Sequence, residues 1–408
     1  MFRRLKSMLE SCFDLFCKKN YGEICGFSTN YKVLKIWHIH ARTYNFGDHA
    51  LGIAVRKLIR GALRKHHIEA IFEIVDTHRF YISKKDVDMF NYEGGLILIG
   101  GGGLLHCWDR IHWMFHCPTR FLKLLRLPIC VFGVGYNQLK RQGSLPASVK
   151  RNIRALQKKA LAFSVRNDGT YEKMLNETFS FDTIPDPGFF LDGKYSHPDI
   201  NGPYVIIQLA GDGIANRMPN FKPWQENLIA CAKWLVNKKL FIVFIPHCEL
   251  DCLIINEITS ALDCNSYLVT NFWDGILDEE CLKILSYYKF AEFVLASRGH
   301  SQIISFGMKV PFATFSTHYK QKSLSKQLGL GEYVTDNPEQ FLQCMTHAWN
   351  DREKIIELET SGMLRLQEQM DFYLDQLAEK IAKSMLKPSQ NWIDFKKVQI
   401  IDYLRYLF

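Results

Sequence analysis

An arginine and a histidine directly follow a short apolar run in the second half of the chain. The run, residues 293–296, leads through a serine into Arg298, Gly299 and His300. A guanidinium binds a phosphate or a carboxylate through two parallel hydrogen bonds. An imidazole beside such an anion can transfer a proton near neutral pH. The stretch therefore predicts an anion site with a proton-transferring group at its edge.

A helix is expected to begin directly after this histidine. Ser301 is a good N-cap for a short helix over residues 302–306, and Gly307 can end it. The partial positive charge of the helix N-terminus would then add to that of the arginine.

Four consecutive glycines, residues 100–103, follow another apolar run. Gly101, Gly102 and Gly103 would let the backbone approach a ligand and leave N–H groups free to bind it. The run lacks the Lys-Ser/Thr of a P-loop and the glycine spacing of a dinucleotide-binding turn. NTP hydrolysis and NAD binding are therefore poorly supported, and the ligand stays unnamed.

A turn containing Asn45, Gly47 and Asp48 separates the first expected strand from the first helix. Asp48 could cap this helix, or the exposed N–H groups could face an anion. A plain cap and turn is the simpler alternative.

Three further polar residues follow expected strands. Arg166 ends an apolar run, where a cation needs an acidic partner such as Asp168 or a ligand. His247 is a secondary candidate ligand, since a lone histidine is more often a loop residue than a catalyst. Lys320 follows a later strand and can face the same cleft.

Short apolar runs alternate with helical stretches along most of the chain, which is typical of an α/β protein with mostly parallel sheets. A stretch rich in proline and glycine, residues 185–203, divides the pattern into two series. We predict two Rossmann-like domains that face a cleft, at residues 33–195 and 196–350, with strand ends at the cleft. A helix and tail, residues 351–408, are expected to pack back on the body. The expected strands are 33–38, 71–75, 96–99, 129–133, 162–165, 204–209, 240–246, 293–296 and 310–315, and the expected helices are 50–65, 224–237, 277–288 and 351–386.

The composition of the chain limits its expected binding partners and its expected cellular location. The 408-residue chain carries a net charge of +9, which favours an anionic partner, but it has no nucleic-acid-binding signature. Its 12 cysteines form no CxxC pair, so we expect reduced thiols, no metal site and a cytoplasmic protein. No run reaches the roughly 18 apolar residues of a membrane span. Residues 1–32 form a basic amphipathic segment, of which 1–20 could lie on an anionic membrane or pack on the body.

The ordered set NFGD, GGGG-LL, GVG, SVRND, PDPG, SRGH and a lysine after FATFS resembles the polysaccharide pyruvyl transferase family. The resemblance covers residues 33–330 and implies a two-domain GT-B-like fold. It also implies phosphoenolpyruvate as donor, a glycan hydroxyl pair as acceptor, and a pyruvate ketal and phosphate as products. Arg298 and His300 match the family's Arg-x-His donor motif, and Arg166 its other donor arginine. Gly299 stands where the family commonly has a bulky residue.

This chemistry assigns roles to the candidate residues. His300 would protonate the methylene carbon of the donor, and Asp48 would take the proton of the acceptor hydroxyl. No metal or cofactor is expected. The acceptor could be lipid-linked, with residues 1–20 at the membrane surface. Two alternatives stay open, namely a nucleotide-sugar glycosyltransferase on the same fold and a non-catalytic relative that binds an anionic glycan.

Overall fold

The computed structural model describes residues 32–42, 44–77, 82–105, 117–137, 144–218, 220–262, 266–268 and 278–385. The predicted amphipathic segment at 1–20 and the tail after 385 lie outside these residues. None of the helices within the described ranges is long and apolar enough to span a membrane.

The N-terminal domain is built on a parallel sheet with the strand order β2-β1-β3-β4-β5-β6. Three of its central strands, β3 to β5, are buried along their whole length because helices cover the sheet. The strands are β1 (Lys32–His40), β2 (Ile68–Asp76), β3 (Leu96–Gly100), β4 (Ile129–Val134), β5 (Ala162–Arg166) and β6 (Asp182–Ile184). The helices are α1 (Phe46–Arg64), α2 (Lys84–Glu93), α3 (Thr119–Leu124), α4 (Ala147–Lys159) and α5 (Thr170–Asn176).

The C-terminal domain is built on a second parallel sheet, with the order β12-β11-β10-β7-β8-β9. Its strands are β7 (Tyr204–Gln208), β8 (Phe241–Phe244), β9 (Ser266–Leu268), β10 (Phe293–Ala296), β11 (Phe312–Phe315) and β12 (Val334–Thr335). Its helices are α6 (Ile214–Arg217), α7 (Phe221–Asn237), α8 (Asp251–Ser260), α9 (Asp278–Lys289), α10 (Gly299–Met308), α11 (Tyr319–Gln327), α12 (Phe341–Asn350) and α13 (Arg352–Met385). Single 3₁₀ turns occur at Pro187–Leu191, Gly331–Tyr333 and Pro338–Gln340.

The expected strands and helices are present, with ends displaced by a few residues. The chain changes sheets between Ile184 and Tyr204, within the stretch rich in proline and glycine. The α/β prediction is therefore confirmed, while the exact domain limits stay predictions.

Each sheet reverses its strand order at one point. In the first sheet β1 and β3 are neighbours, and in the second β7 and β10 are neighbours. Loops at such a point leave towards opposite faces and open a crevice at the carboxyl ends of the strands, where open α/β sheets bind ligands. The loops that carry Asn45, Gly101 and Arg298 all follow these strands.

A polar cluster joins the two domains behind the glycine loop, and all of its members except the half-exposed Asp278 are buried. Asp278, the first residue of α9, accepts hydrogen bonds from His49 Nε2 at 3.0 Å and from Arg56 Nη2 at 2.6 Å. The other Arg56 terminus, Nη1, lies 3.4 Å from His38 Nδ1 and 3.3 Å from His40 Nε2. We call these five residues the histidine cluster.

The long helix α13 crosses both domains. A Cβ at Gly362 would lie 2.7 Å from the ring of Phe306 in α10, so the helix packs closely on the C-terminal domain. Further along, Tyr373 lies 6.0 Å from the Phe132 ring of β4, and Asp375 accepts a hydrogen bond from Lys65 at 2.8 Å. This helix therefore contacts both domains, while the predicted packing of the tail after residue 385 lies outside the described residues.

Glu359 on α13 is fully buried, and neither carboxyl oxygen has a hydrogen-bond partner among the described residues. Burial raises its pKa well above the ordinary value, so the folded protein holds this proton while the unfolded chain releases it above about pH 4.3. Stability should therefore fall as pH rises above that value. We expect Glu359→Gln to raise the free energy of unfolding by about 1–3 kcal/mol at pH 8, and by less at pH 4, in urea titrations. Glu357→Gln, at an exposed position, should leave the free energy of unfolding unchanged at both pH values. An equal gain from Glu359→Gln at both pH values would contradict the assignment.

Candidate active site

The helix at the Arg-x-His stretch begins earlier than the sequence predicted. Arg298 is in the N-cap position with extended backbone, φ −116° and ψ 145°, and α10 begins at Gly299 rather than after Ser301. The helix continues past Gly307 to Met308 and ends where Lys309 adopts a left-handed conformation at φ 59°. His300 thus lies in the first turn of α10.

Arg298 is held by two carboxylates. Its Nε donates to Asp251 Oδ2 at 3.0 Å, and its Nη2 donates to Asp212 as well as to Asp251. The same Nη2 lies 3.1 Å from Cys248 Sγ. Asp212, Cys248 and Asp251 could hold a metal ion, since their donor atoms lie within 4.8 Å of one another, but the guanidinium already brings positive charge to all three. The arginine is therefore oriented by acids before any ligand is considered.

His300 lies directly against the first turn of α1 from the other domain. A Cβ at Gly47 would be only 2.0 Å from His300 Nδ1, so only glycine fits there. On the other side of the ring, Nε2 is 3.6 Å from Asp48 Oδ1. Burial lowers the pKa of His300 to about 3, with Asp48 opposing the shift and Arg166 adding to it. The protein groups alone thus make His300 a neutral imidazole at pH 7, which differs from the titration near neutrality expected from the sequence.

Asn45, not Asp48, caps helix α1. Its side chain accepts hydrogen bonds from Gly47 N at 2.9 Å and Asp48 N at 3.3 Å. The predicted cap by Asp48 is therefore wrong. Because Asn45 satisfies these N–H groups, the Asp48 carboxylate is left to face His300.

The glycine run makes room for polar side chains of neighbouring loops. A Cβ at Gly102 would lie 2.6 Å from Asp48 Oδ1, and one at Gly103 would lie 1.9 Å from Asn137 Nδ2. Gly101 and Gly102 also have positive φ, 80° and 104°, which disfavours larger residues.

Arg166 and Lys320, from different domains, share one carboxylate. Asp168 Oδ2 lies 3.3 Å from Arg166 Nη2 and 3.2 Å from Lys320 Nζ. Arg166 also donates to Asp186 at 2.7 Å, and Lys320 donates to Asn137 at 2.6 Å. Burial lowers the pKa of Lys320 to about 8, although Asp168 raises it. Arg166 is therefore paired with acids, as one of its two predicted roles requires, while its role in ligand binding stays a prediction.

His247 lies behind His300 rather than beside it. The two rings are nearly parallel, at 15° and 6.3 Å between centroids. His247 Nε2 is 2.9 Å from the hydroxyl of Tyr288, and its buried Nδ1 has no partner among the described residues. Burial, with Arg298, keeps the pKa of His247 well below its ordinary value.

The structure brings the predicted residues into three neighbouring groups, one around His300, one around Arg166 and one around Arg298. Sequence reasoning did not single out Asn137, Asp186, Asp212 or Tyr288. The rule that ligands bind at the carboxyl ends of parallel strands could have identified Asp212, because this residue follows β7 closely. No sequence pattern pointed to Tyr288, since this residue lies in an ordinary amphipathic helix.

Comparison with solved structures defines the class of fold first. S. aureus MnaA solved with UDP is 13% identical, covers 80% of this chain and 90% of its own, and has a TM-score of 0.50. A putative UDP-N-acetylglucosamine 2-epimerase from Listeria monocytogenes is 12% identical, with coverages of 88% and 99% and a TM-score of 0.55. UDP-GlcNAc 2-epimerase from Neisseria meningitidis, bound to UDP-GlcNAc, is 11% identical, with coverages of 87% and 99% and a TM-score of 0.50. This chain therefore has a two-domain, GT-B-like α/β fold.

The family follows from the sequence match. The model of the family "Polysaccharide pyruvyl transferase" matches residues 45–319, well over half of the chain. The chain belongs to this family, which makes it a polysaccharide-modifying transferase with a glycan acceptor. The comparison with curated proteins gave no match.

Gly299 has open space around it. A Cβ there would meet no atom within 4 Å, whereas a Cβ at Gly307 on the same helix would lie 2.2 Å from Phe189 O. We expect Gly299→Ala to keep activity within about threefold and to stabilise the helix by about 0.5–1 kcal/mol. Gly307→Ala should destabilise the protein by about 1–3 kcal/mol. Thermal unfolding and an assay of transferase activity check the pair, and a large loss of activity in Gly299→Ala would show that this position needs its glycine.

Proposed function

We propose that this chain transfers the pyruvyl group of phosphoenolpyruvate to a pair of sugar hydroxyls on a glycan, with release of phosphate. One observation carries the proposal. An imidazole from one domain and a carboxylate from the other lie 3.6 Å apart, beside Arg166, whose charge bears on the imidazole. Such a pair can move a proton where an anionic donor binds.

Three buried cations near the pair could bind this donor, although four carboxylates already pair with them. Phosphoenolpyruvate carries a phosphate and a carboxylate, and Arg166, Lys320 and Arg298 supply three cations in deeply buried positions. Their acidic partners keep these side chains oriented, so little ordering is needed when an anion binds. The donor's negative charge would also favour the imidazolium and raise the pKa of His300 above the low value set by burial. Donor binding and protonation of His300 are then coupled.

The proposed reaction balances as follows. His300 gives its proton to the methylene carbon, which becomes a methyl group, and the first sugar hydroxyl forms a C–O bond at C2. Asp48 takes the hydroxyl proton and, through its contact with His300, returns it to the imidazole. The second hydroxyl then displaces phosphate from C2 and closes the ketal, and its proton leaves with the phosphate. The leaving group comes from the donor, so the scheme requires no further cofactor.

The direct test is phosphate release from phosphoenolpyruvate with a panel of glycans, including lipid-linked ones. We expect release only with acceptors that carry a suitably spaced hydroxyl pair, and ketal formation by mass spectrometry. Donor binding can be tested separately by thermal shift, since only a true ligand stabilises the folded state. Stabilisation by nucleotide sugars but not by phosphoenolpyruvate would favour a glycosyltransferase instead. Stabilisation by anionic glycans with no turnover of either donor would indicate a binding protein.

A further inference from the structure

Phe46 belongs to the N-terminal domain, yet its ring packs in the C-terminal domain. It is the first residue of α1 and is 1% exposed. Its ring meets His247 edge-on at 5.0 Å and lies parallel to Tyr288 at 6.4 Å. Its backbone N–H also donates to His247 O at 2.8 Å. One residue thus anchors the start of α1 in the other domain.

The residues that receive Phe46 are those that hold His300 from behind. The ring of His247 lies parallel to that of His300. The hydroxyl of Tyr288 bonds to His247 and also donates to Ser301 Oγ at 3.1 Å, next to His300 in α10. Phe46 is therefore connected to His300 by two sets of contacts, one through the ring of His247 and one through Tyr288 and Ser301 in α10.

The residues directly after Phe46 are those that face His300. Gly47 lies against the ring, and Asp48 lies 3.6 Å from it. Phe46, Gly47 and Asp48 share the first turn of α1. Any shift of Phe46 relative to the C-terminal domain therefore moves Gly47 and Asp48 by a similar amount. An error of about 1 Å in such a pair can cost about 100-fold in rate.

We propose that Phe46 is a positioning residue that sets the distance between Asp48 and His300 by seating the first turn of α1 on His247 and Tyr288. An aromatic ring suits this role because edge-to-face and stacked contacts fix orientation as well as distance. The contact of His49 and Arg56 with Asp278 joins the domains elsewhere, so loss of the ring should change the geometry without separating the domains.

The first test is kinetic, and this part rests on the proposed function. Phe46→Ala is compared with Ile59→Ala, an equally buried residue more than three turns further along α1. Both are assayed where circular dichroism shows them to be folded. We expect kcat to fall about 30-fold or more in Phe46→Ala, with KM for phosphoenolpyruvate within about threefold of wild type. Phe46→Leu, which keeps apolar volume and the N–H, should recover part of the rate. A loss in Phe46→Ala no larger than that in Ile59→Ala would overturn the proposal.

The second test is a double-mutant cycle. If Phe46 acts through His300, Phe46→Ala should cost little further activity in a His300→Gln background. A purely structural residue would give its full loss in both backgrounds, and that result would overturn the proposal.

The third test needs no activity, so it separates this inference from the proposed function. The ring signals of His300 are compared by NMR at pH 7 in wild type, Phe46→Ala and Ile59→Ala. Loss of Phe46 removes the contact that seats Gly47 and Asp48 against His300, so the ring signals of His300 should shift in Phe46→Ala alone. Unchanged His300 signals in Phe46→Ala would refute the positioning role. Absence of pyruvyl transfer in wild type would instead refute the proposed function.

Discussion

Replacing His300 with glutamine should lower kcat for phosphate release from phosphoenolpyruvate by about 10²- to 10⁴-fold, the usual contribution of a general acid. Glutamine fills similar space and keeps a hydrogen-bond donor, so KM for the donor should change little. The imidazole is also backed by Gly47 and His247, which leaves the replacement few other positions. Steady-state kinetics at pH 7 measure the effect, with folding verified by circular dichroism.

Two matched pairs show whether the loss belongs to this imidazole. His347 on α12 is exposed and pairs with surface acids, so His347→Gln should leave kcat unchanged. Gly47→Ala should imitate the loss, because its methyl group would displace His300. Gly61→Ala on the same helix meets nothing within 4 Å and should be silent or stabilising. Equal activity of Gly47→Ala and Gly61→Ala would disprove the placement of His300.

The second large effect expected is steep destabilisation by mild acid. His38, His40 and His247 are fully buried, and burial is the main cause that keeps each pKa well below its ordinary value. The unfolded chain binds protons on these residues below about pH 6.5, whereas the folded protein does not. The contribution of these histidines to stability is therefore complete above that pH and falls as pH decreases, by about 1.4 kcal/mol per pH unit for each histidine. These three and His300 together give about 6 kcal/mol per pH unit. The raised pKa of Glu359 acts in the opposite direction and reduces the net slope to about 4 kcal/mol per pH unit, measurable by urea unfolding at pH 7.5, 6.5 and 5.5.

The geometry of His38 shows why a proton is not accommodated. Its Nε2 is committed to Gly100 O at 3.1 Å, so its Nδ1 must present a lone pair to Arg56. A proton on that nitrogen would face a guanidinium. His38→Gln can keep both contacts without titrating and should reduce the pH slope by about a third. The exposed His66→Gln should not alter it, and an unchanged slope in His38→Gln would show that the acid sensitivity arises elsewhere.

The sequence predicted the alternating fold and the strand-end positions well, because buried parallel strands are continuous apolar runs and ligands bind at their carboxyl ends. It also placed Asp48, His300 and Arg166 in one cleft. The types of residue and their positions at strand ends were sufficient for this, although each type also has ordinary structural uses.

The sequence did not predict local geometry that depends on tertiary contacts. Asn45 and Asp48 are both good caps, and only the position of His300 shows why Asn45 takes that role. The start of α10 moved because the backbone of Arg298, rather than the side chain of Ser301, begins the helix. The low pKa of His300 arises from burial between two domains, which no local pattern records.

The long helix α13 has a consequence for the protein while it is being made. Its residues cover Phe132 of the first sheet and pair with the end of α1, although they are translated after both sheets. A ribosome-bound chain that has completed only the N-terminal domain therefore exposes an apolar face that no later strand covers. We therefore expect such a nascent chain to be more prone to association until α13 emerges.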